Sequence, residues 1–393
     1  MRFAWTDEQL AFAEATRDLL AKECPPAVVR AAGDAPPGGL DRTVWEGLDA
    51  MGVLGVAAPD AVGGLGLDET TLVPLLEEAG RVALPHPLVD TAAVAAPLGA
   101  AAGGRLVPTD LGGPLVACAA DADAFLLWHP PPAPSTPTAI PASTPTANAT
   151  SRPGMFCTPS DPGDGSCTTF GEGDGQRGAL YLVEAGAVTV TPVATVDRGR
   201  RAGRVAWSAG DGELVNDDPA VLTLAADRGV LGTAAVLCGL AGTMLDLTVA
   251  YVGERRQFGV PIGSFQAVKH HLADALVRLE FARPAVARGA WSSAHPEQVA
   301  PLVRQRDVSM AKALAIDAAE ACGRAALQCH GAIGYTVESD LHLFLKRSWA
   351  LARSWGDRGF HTDRVGRALE ALDAPAPDAP SPDTATPVAQ EDP

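Results

Sequence analysis

The sequence of 393 residues has few aromatic residues and fewer basic than acidic residues. Aromatic side chains make up 5% of it and apolar residues 47%, so small residues must fill much of the core, which favours close helix packing over aromatic-rich sheets. Lys and Arg total 30 against 47 Asp and Glu, a formal net charge of −17. Because contacts to phosphates need clustered bases, this balance argues against nucleic-acid binding and against an anionic membrane as partner.

Features of secreted, metal-binding and membrane proteins are also absent. The seven cysteines form no CxxC pair and are odd in number, so we expect free thiols, a cytoplasmic location and no metal site. The first ten residues, MRFAWTDEQL, lack the apolar core of a secretory signal. The run Gly229–Leu245 is almost long enough to span a membrane, but it is rich in Ala, Gly and Thr and leads into charged residues. It predicts a buried core helix without membrane insertion.

Composition divides the chain into four segments and predicts an α+β fold that is mostly α. Residues 1–112 have helical patterns, and residues 113–215 have short apolar runs typical of a small β domain. Within that domain, residues 129–164 are rich in Pro and Thr and predict a disordered insertion. Residues 219–372 predict about four helices, and residues 373–393 a disordered acidic tail.

Local patterns sharpen this prediction. Thr6 and Gln9 form a capping-box pattern before a helix through Leu20. The segments Gly229–Leu245 and Ala311–Leu327 are apolar enough to predict an oligomer core. The predicted strands are Leu115–Ala119, Ala124–Trp128, Leu180–Val183 and Val188–Val193.

The most informative segment is Glu254–Gln266, ERRQFGVPIGSFQ. Gly259 and Pro261 predict that a helix ends near Phe258, and Ser264 is a candidate cap for the next helix. Two arginines beside an aromatic residue at a helix end can bind a pyrophosphate and flank a ring. On the residues alone, a solvated helix end joined by a tight turn is the favoured interpretation.

A second segment is Gln328–Tyr335, QCHGAIGY. Its small residues permit close approach of the backbone to a ligand, and exposed amides can hold phosphate oxygens. A helix that simply stops there is the alternative interpretation.

These two segments carry a family resemblance. RRQFGVPIGSFQAVKHHLADA (255–275) and QCHGAIGYTVESDLHLFLKRS (328–348) resemble the two C-terminal signatures of the acyl-CoA dehydrogenases, and AAPDAVGGLGLDE resembles part of their N-terminal domain. The order of the three domains over about 1–372 agrees with that family.

The resemblance implies FAD as cofactor and an acyl-CoA thioester as substrate. It implies that Arg255 contacts the pyrophosphate of FAD in a neighbouring subunit, and that Phe258 and Gln266 lie near that cofactor. The loop beneath the pyrophosphate then corresponds to three residues: Gln328, Gly331 and Ala332, the last in place of a second glycine.

The resemblance also places the catalytic base, a carboxylate that removes the α-proton of the thioester. At the two family positions this sequence has Trp355 and Gly229, neither of which accepts a proton. Asp357 and Asp227 are each two residues away and are the remaining candidates. The Thr/Ser-rich strand and the Trp-centred strand that flank the flavin in the family are not recognisable here, and Trp207 is a candidate for core packing.

Three functions stay open. The chain is an active FAD-dependent acyl-CoA dehydrogenase of fatty-acid or steroid side-chain degradation with a relocated base, or the catalytically reduced subunit of a heteromeric one, or a non-enzymatic acyl-CoA-binding or scaffold protein. The first two imply a homo-oligomer or a heterotetramer with a second such subunit, and an electron-transfer flavoprotein as electron acceptor.

Overall fold

The computed structural model describes residues 5–130, 157–159, 167–169 and 178–374. The N-terminal part is helical, as predicted. Its capping box is present: Gln9 N donates to Thr6 Oγ1 at 3.2 Å, and Thr6 N donates to Gln9 Oε1 at 2.9 Å. The helices are α1 (Asp7–Glu23), α2 (Pro26–Asp34), α3 (Thr43–Ala50), α4 (Glu69–Arg81) and a π-helix (Val89–Ala95).

The helix α2 was not predicted from the sequence. Pro26 is the first residue of α2. Proline suits that position, since the amide hydrogen that it lacks would have no partner inside the helix.

A small β region follows. Its strands are β1 (Ala124–His129), β2 (Cys157–Pro159), β3 (Cys167–Thr169), β4 (Ala179–Glu184), β5 (Thr189–Pro192), β6 (Gly203–Ala206) and β7 (Glu213–Asn216). A three-stranded antiparallel sheet has the order β1–β4–β7, with β1 and β4 in register from Ala124 opposite Glu184 to His129 opposite Ala179. Two further antiparallel pairs join β2 with β3 and β5 with β6.

Two predictions in this region need correction. Leu115–Ala119 is not a strand: only Val116 makes a bridge, to Gly203, and Cys118 has a left-handed φ of 49°. The predicted insertion 129–164 lies mostly outside the described residues, but His129 closes β1 and Cys157–Pro159 forms β2. The strand conformation of those residues depends on pairing with neighbouring strands and not on composition.

The C-terminal part contains five α-helices among the described residues, where about four were predicted. They are α5 (Pro219–Glu254), α6 (Gln266–Ala294), α7 (Pro301–His330), α8 (Leu341–Leu351) and α9 (Arg358–Asp373). The first three pack on one another, and α5 also packs on α4. At that crossing a Cβ on Gly239 would lie 2.0 Å from Glu77 O, and one on Gly80 would lie 2.2 Å from Val236 O. Glycine thus permits the close packing that the composition predicted.

The helix α5 is the one described helix long and apolar enough to cross a membrane. Of its most apolar window, 83% is buried inside the protein. The segment Gly229–Leu245 therefore forms a buried core helix, as predicted.

This burial corrects the argument for the oligomer core. Most of Gly229–Leu245 and of Ala311–Leu327 faces the interior of the same chain. One group of exposed apolar side chains lies instead near the middle of α6 and just before its start: Phe265, Leu276, Val277 and Phe281 are 38, 47, 53 and 70% exposed.

Candidate functional site

The segment that carries the first signature is a hairpin at the end of α5. The helix ends at Glu254, four residues before the predicted end, and two short strands follow, β8 (Arg256–Gln257) and β9 (Val260–Pro261). Phe258 and Gly259 form the two-residue turn with φ of 54° and 82°. Both values are positive, as in a type I′ hairpin turn. The Phe258 ring is consequently 94% exposed.

Ser264 does not cap α6, contrary to the prediction. Its hydroxyl donates to Pro261 O at 2.7 Å, and Phe265 precedes the first residue of the helix, Gln266. The 3₁₀ turn Ile262–Ser264 places Ser264 before the position at which a hydroxyl could accept from the first amides of α6.

The hairpin presents Arg255 to solvent. Its backbone is fixed on both sides, by a bond from its amide to Tyr251 O and one from Ile262 N to its carbonyl. Among the described residues its guanidinium has no ion-pair partner, although Arg256 beside it bonds Gly259 O at 3.4 Å. Gln266 is likewise exposed at the start of α6. The cation is therefore available to an anion from outside the chain.

The second signature forms the end of α7 and the turn after it. The helix ends at His330, Gly331 has a φ of 62°, and a 3₁₀ turn runs over Gly331–Tyr335. Gln328, Gly331 and Ala332 are exposed, and a Cβ on Gly331 would meet nothing within 4 Å. The backbone of this turn is open to a ligand.

The structure joins the two signatures through a ring stack. Tyr251 and His330 have ring centroids 4.4 Å apart and an interplanar angle of 15°. Tyr251 lies one helical turn before Arg255, and His330 lies directly before Gly331. The arginine, the hairpin and the open turn therefore share one surface. Sequence reasoning missed Tyr251, which contributes to this arrangement through its ring packing and through a long hydrogen bond that its hydroxyl donates to His330 O at 3.5 Å.

This surface fits the adenosine-diphosphate half of FAD. A free guanidinium suits the pyrophosphate, and open backbone beside Gly331 suits phosphate oxygens. Phe258 and Tyr335, 94 and 76% exposed, offer faces to a ring. All of these groups are exposed, so the surface is open to a molecule outside the chain.

The positions expected for the base lie together in the interior. The Trp355 indole rests on Gly229, where an added Cβ would lie 2.3 Å from Trp355 Cη2. Its other edge rests on Gly112, where a Cβ would lie 2.7 Å from Trp355 Nε1. Trp355 is 4% exposed and its amide donates to Gly112 O at 2.9 Å. The indole thus fills the space in which a carboxylate from either position would lie.

The backbone at Trp355 is strained. Trp355 has a φ of 59° and Gly356 one of 94°, a conformation costly for a residue with a large side chain. His361 stabilises the corner: its Nε2 lies 2.8 Å from Trp355 O and its Nδ1 3.2 Å from Ser309 Oγ. Burial lowers the pKa of His361 to about 3, so its ring is neutral and donates through Nε2 to the carbonyl.

Asp227, one candidate base, is committed to other groups. Its carboxylate is fully buried and accepts from Arg304 Nε at 2.9 Å and from Arg364 Nη2 at 2.8 Å. Arg364 in turn contacts Ser309, which bonds His361. The carboxylate therefore ties α5 to α7 and α9.

Asp357, the other candidate, caps α9. Its Oδ1 accepts from Phe360 N at 2.9 Å, and the residue is exposed. Both candidate carboxylates therefore have structural partners in the described part of the chain.

The β region beside these positions is aromatic. Trp207 packs against His129 and Tyr181, with centroid distances of 5.8 and 5.6 Å. It belongs to a small apolar cluster of the β region, as predicted for core packing.

The comparisons with known proteins agree with this architecture. The family model for the acyl-CoA dehydrogenase N-terminal domain matches residues 6–103, and the model for the C-terminal domain matches residues 220–370. The acyl-CoA dehydrogenase IpdE2 of Mycobacterium tuberculosis is 30% identical over 351 residues, 88% of this chain and 92% of that protein.

Two solved structures share the fold. One is the ChsE4-ChsE5 complex from Mycobacterium tuberculosis, with a TM-score of 0.71 and 22% identity over 96% of this chain and 100% of that one. The other is a variant of the Tcur3481-Tcur3483 steroid ACAD, with a TM-score of 0.71 and 23% identity over 93% of this chain and 98% of that one. The chain therefore belongs to the acyl-CoA dehydrogenase family, whose cofactor is FAD.

Proposed function

We propose that this chain is the catalytically reduced subunit of a heteromeric acyl-CoA dehydrogenase and completes the FAD site of its partner subunit. The observation that carries the proposal is the Trp355 indole, which fills the space between Gly112 and Gly229. A carboxylate cannot enter that space without displacing the ring. The Arg255 guanidinium, in contrast, is exposed and has no ion-pair partner in the part of the chain that the structure describes.

The chain's own residues would act by binding and positioning. Arg255 would hold the pyrophosphate, Phe258 would flank a ring, and the amides near Gly331 would hold phosphate oxygens. FAD, when bound, accepts the hydride from the thioester, and the α-proton would go to a carboxylate of the partner. We expect electrons to pass on to an electron-transfer flavoprotein and the complex to be cytoplasmic.

The comparisons support a two-chain assembly by analogy. The solved neighbour from Mycobacterium tuberculosis is a complex of two differently named chains, ChsE4 and ChsE5. The other neighbour is described as a steroid ACAD with two names, Tcur3481 and Tcur3483. A steroid-derived or fatty acyl-CoA thioester is accordingly the substrate class that we propose for the complex.

The test is co-expression with a second acyl-CoA dehydrogenase chain that has a carboxylate at one of the two family positions of the base. Bound flavin and turnover of acyl-CoA and steroid-CoA thioesters are measured with an artificial electron acceptor, for the complex and for each chain alone. We expect turnover by the complex and little by this chain alone, because about 1 Å of misplacement of a base costs on the order of a hundredfold. Robust turnover by the isolated chain, abolished by Asp357→Asn or Asp227→Asn, would contradict the proposal.

Arg255→Ala tests the contribution of this chain to the cofactor site. Losing a charge-assisted hydrogen bond of about 1.5–3 kcal/mol should weaken FAD binding by the complex about 10- to 150-fold. Arg324→Ala is the matched control, since Arg324 is also an exposed arginine but pairs with Glu320 on its own helix, α7. Equal FAD affinity in both variants would show that Arg255 does not contact the cofactor.

A further inference from the structure

The aromatic pair Tyr251 and His330 links the two helix ends that carry the cofactor surface. Tyr251 lies in the last turn of α5, three residues before its end at Glu254, and His330 is the last residue of α7. Their rings are stacked. The stack therefore joins the helix end before Arg255 to the helix end before Gly331.

Tyr251 contacts both signature segments, each through a different group. Its carbonyl accepts from the amide of Arg255 at 2.9 Å. Its ring lies on the His330 ring, and its hydroxyl donates to His330 O, the carbonyl directly before Gly331. One residue is thus in contact with the residues that begin the two halves of the cofactor surface.

The His330 ring is itself held in place. Its Nδ1 lies 2.8 Å from Ala326 O, and since a carbonyl can only accept, Nδ1 carries a hydrogen. The residue is 8% exposed, so the surrounding protein covers most of the ring. A ring bonded to its own helix at one edge and stacked on one face has little freedom to rotate, so Tyr251 packs on a rigid group.

The turn after His330 depends on this anchor. A Cβ on Gly331 would meet nothing within 4 Å, and Ala332 is exposed, so packing does not fix the start of the turn. Gly334 is the buried residue of the turn, and a Cβ there would lie 3.0 Å from His330 Cβ. The turn is folded against His330, so a shift of that residue would also move the backbone at Gly331.

A cofactor that bridges Arg255 and the Gly331 turn needs a fixed separation between them. Both groups are exposed. Affinity falls when groups that bind one ligand must first be ordered by it, and a rigid link between them removes that cost.

We propose that Tyr251 is a positioning residue of the cofactor site, whose stack on His330 sets the separation between Arg255 and the Gly331 turn. Tyr251 acts through these neighbours and not by a contact of its own to FAD. The inference rests on the proposed function, because it requires FAD to bridge the two groups.

The FAD affinity of the assembled complex tests the proposal. Tyr251→Leu removes the stack and should weaken FAD binding about 3- to 10-fold, the range expected for one aromatic pair. Tyr251→Phe keeps the ring and loses only a long hydrogen bond of 3.5 Å, so it should retain most of the affinity. Unchanged affinity in Tyr251→Leu, or equal losses in both variants, would overturn the proposal.

Trp291→Leu is the matched control. Trp291 also stacks on a histidine at a helix end, His295, with centroids 4.8 Å apart, but this pair lies at the opposite end of α6 from the hairpin. Its loss should leave the FAD affinity unchanged. A loss as large as that of Tyr251→Leu would show that any such stack supports the affinity through general stability, and would overturn the positioning role.

Hydrogen exchange in the isolated chain gives a measurement without FAD. Tyr251→Leu should speed exchange of the amides in 255–261 and 331–335 and leave the other parts of α5, α6 and α7 as in the wild type, because only the link between two helix ends is lost. Faster exchange spread evenly over these helices would contradict the proposal.

Arg255→Ala separates this inference from the proposed function. If Arg255→Ala weakens FAD binding and Tyr251→Leu does not, the cofactor surface stands and the positioning role fails. Unchanged affinity in both variants would remove the proposed function as well. In the double variant, a loss clearly smaller than the product of the two single losses is expected, since Tyr251 acts in part through Arg255. Independent losses would overturn that link.

Discussion

At the scale of single residues, Trp355 determines how the interior packs at the position expected for the catalytic base. Its indole requires glycine at two positions distant in the chain, Gly112 and Gly229, and a positive φ at its own. Gly112, Gly229 and Trp355, which are far apart in the sequence, thus form one packing arrangement. The same ring that excludes a carboxylate also completes the core.

Trp355→Ala separates packing from catalysis. Removing a buried tryptophan should lower the free energy of unfolding by about 3–5 kcal/mol, whereas turnover by the assembled complex, per folded complex, should stay near that of the wild type. Urea unfolding and turnover with an artificial acceptor measure the two effects. A loss of turnover far beyond the loss of folded complex would give Trp355 a role in the reaction.

The two aspartates near the expected base positions should behave differently from each other. Asp227→Asn leaves the buried Arg304 and the nearly buried Arg364 without a counter-charge and should cost about 3–5 kcal/mol of stability. Asp357→Asn should change stability by less than about 0.5 kcal/mol, because asparagine caps a helix as well as aspartate does. Thermal melts of both variants decide this, and similar melting temperatures would show that the buried ion pairs are not structural.

At the scale of elements, α6 differs from the helices around it. It packs against α5 and α7, but Phe265 just before it and Leu276, Val277 and Phe281 near its middle face solvent. An exposed apolar patch of this kind is typical of a subunit interface. The hairpin with Arg255 directly precedes α6 in the chain, so an interface on α6 would bring the cofactor surface to a neighbouring subunit.

Phe281→Asp tests this interface. Burying a phenylalanine contributes about 1.5–3 kcal/mol, so a charge there should weaken subunit association at least about tenfold, as measured by sedimentation over a range of concentrations. Leu369→Asp on α9 is the control, since Leu369 is also exposed, at 46%, but lies on another helix. Dissociation caused only by the α9 variant would place the interface elsewhere.

At the scale of the whole molecule, buried carboxyls and buried imidazoles have opposite effects on stability between pH 7 and pH 4. Burial raises the pKa of Asp90 to about 6 and that of Asp110 to about 7. Burial lowers the pKa of His86 to about 4 and that of His361 to about 3. Between pH 7 and pH 4 the folded protein binds more protons at the carboxyls than the unfolded chain does, and fewer at the imidazoles.

The unfolding free energy of the wild type should therefore depend little on pH, whereas that of a variant lacking one of these groups should depend on pH more steeply. Each group contributes about 1.4 kcal/mol per pH unit within its window. As the pH falls, the raised carboxyls add stability and the lowered imidazoles remove it. Relative to the wild type, Asp110→Asn should lose unfolding free energy as the pH falls, because it lacks a carboxyl that adds stability in acid. His361→Gln should gain unfolding free energy as the pH falls, because it lacks an imidazole that removes stability in acid. Urea midpoints from pH 4.5 to 7.5 measure both, and parallel curves for the two variants would contradict the assignment.

The sequence alone determined the parts of this protein that depend on local chemistry. Periodic apolar residues, the Thr6 capping box and the glycines of α5 led to the mainly helical fold, and the two long signatures led to the family. The residues proposed for the cofactor, among them Arg255 and Gly331, lie on one surface, because each is fixed by its own helix end.

Only the tertiary structure decided what happens between distant segments. Trp355, Gly112 and Gly229 meet through packing, which no local pattern encodes, and Asp227 turned out to be an ion-pair partner because α7 and α9 bring arginines to it. The strand of Cys157–Pro159 depends on pairing with Cys167–Thr169, and the apolar run of α5 is covered by neighbouring helices of the same chain. Burial and strand pairing depend on contacts between distant segments. Composition therefore predicted that the apolar residues of α5 must be covered, but it did not identify which helices cover them.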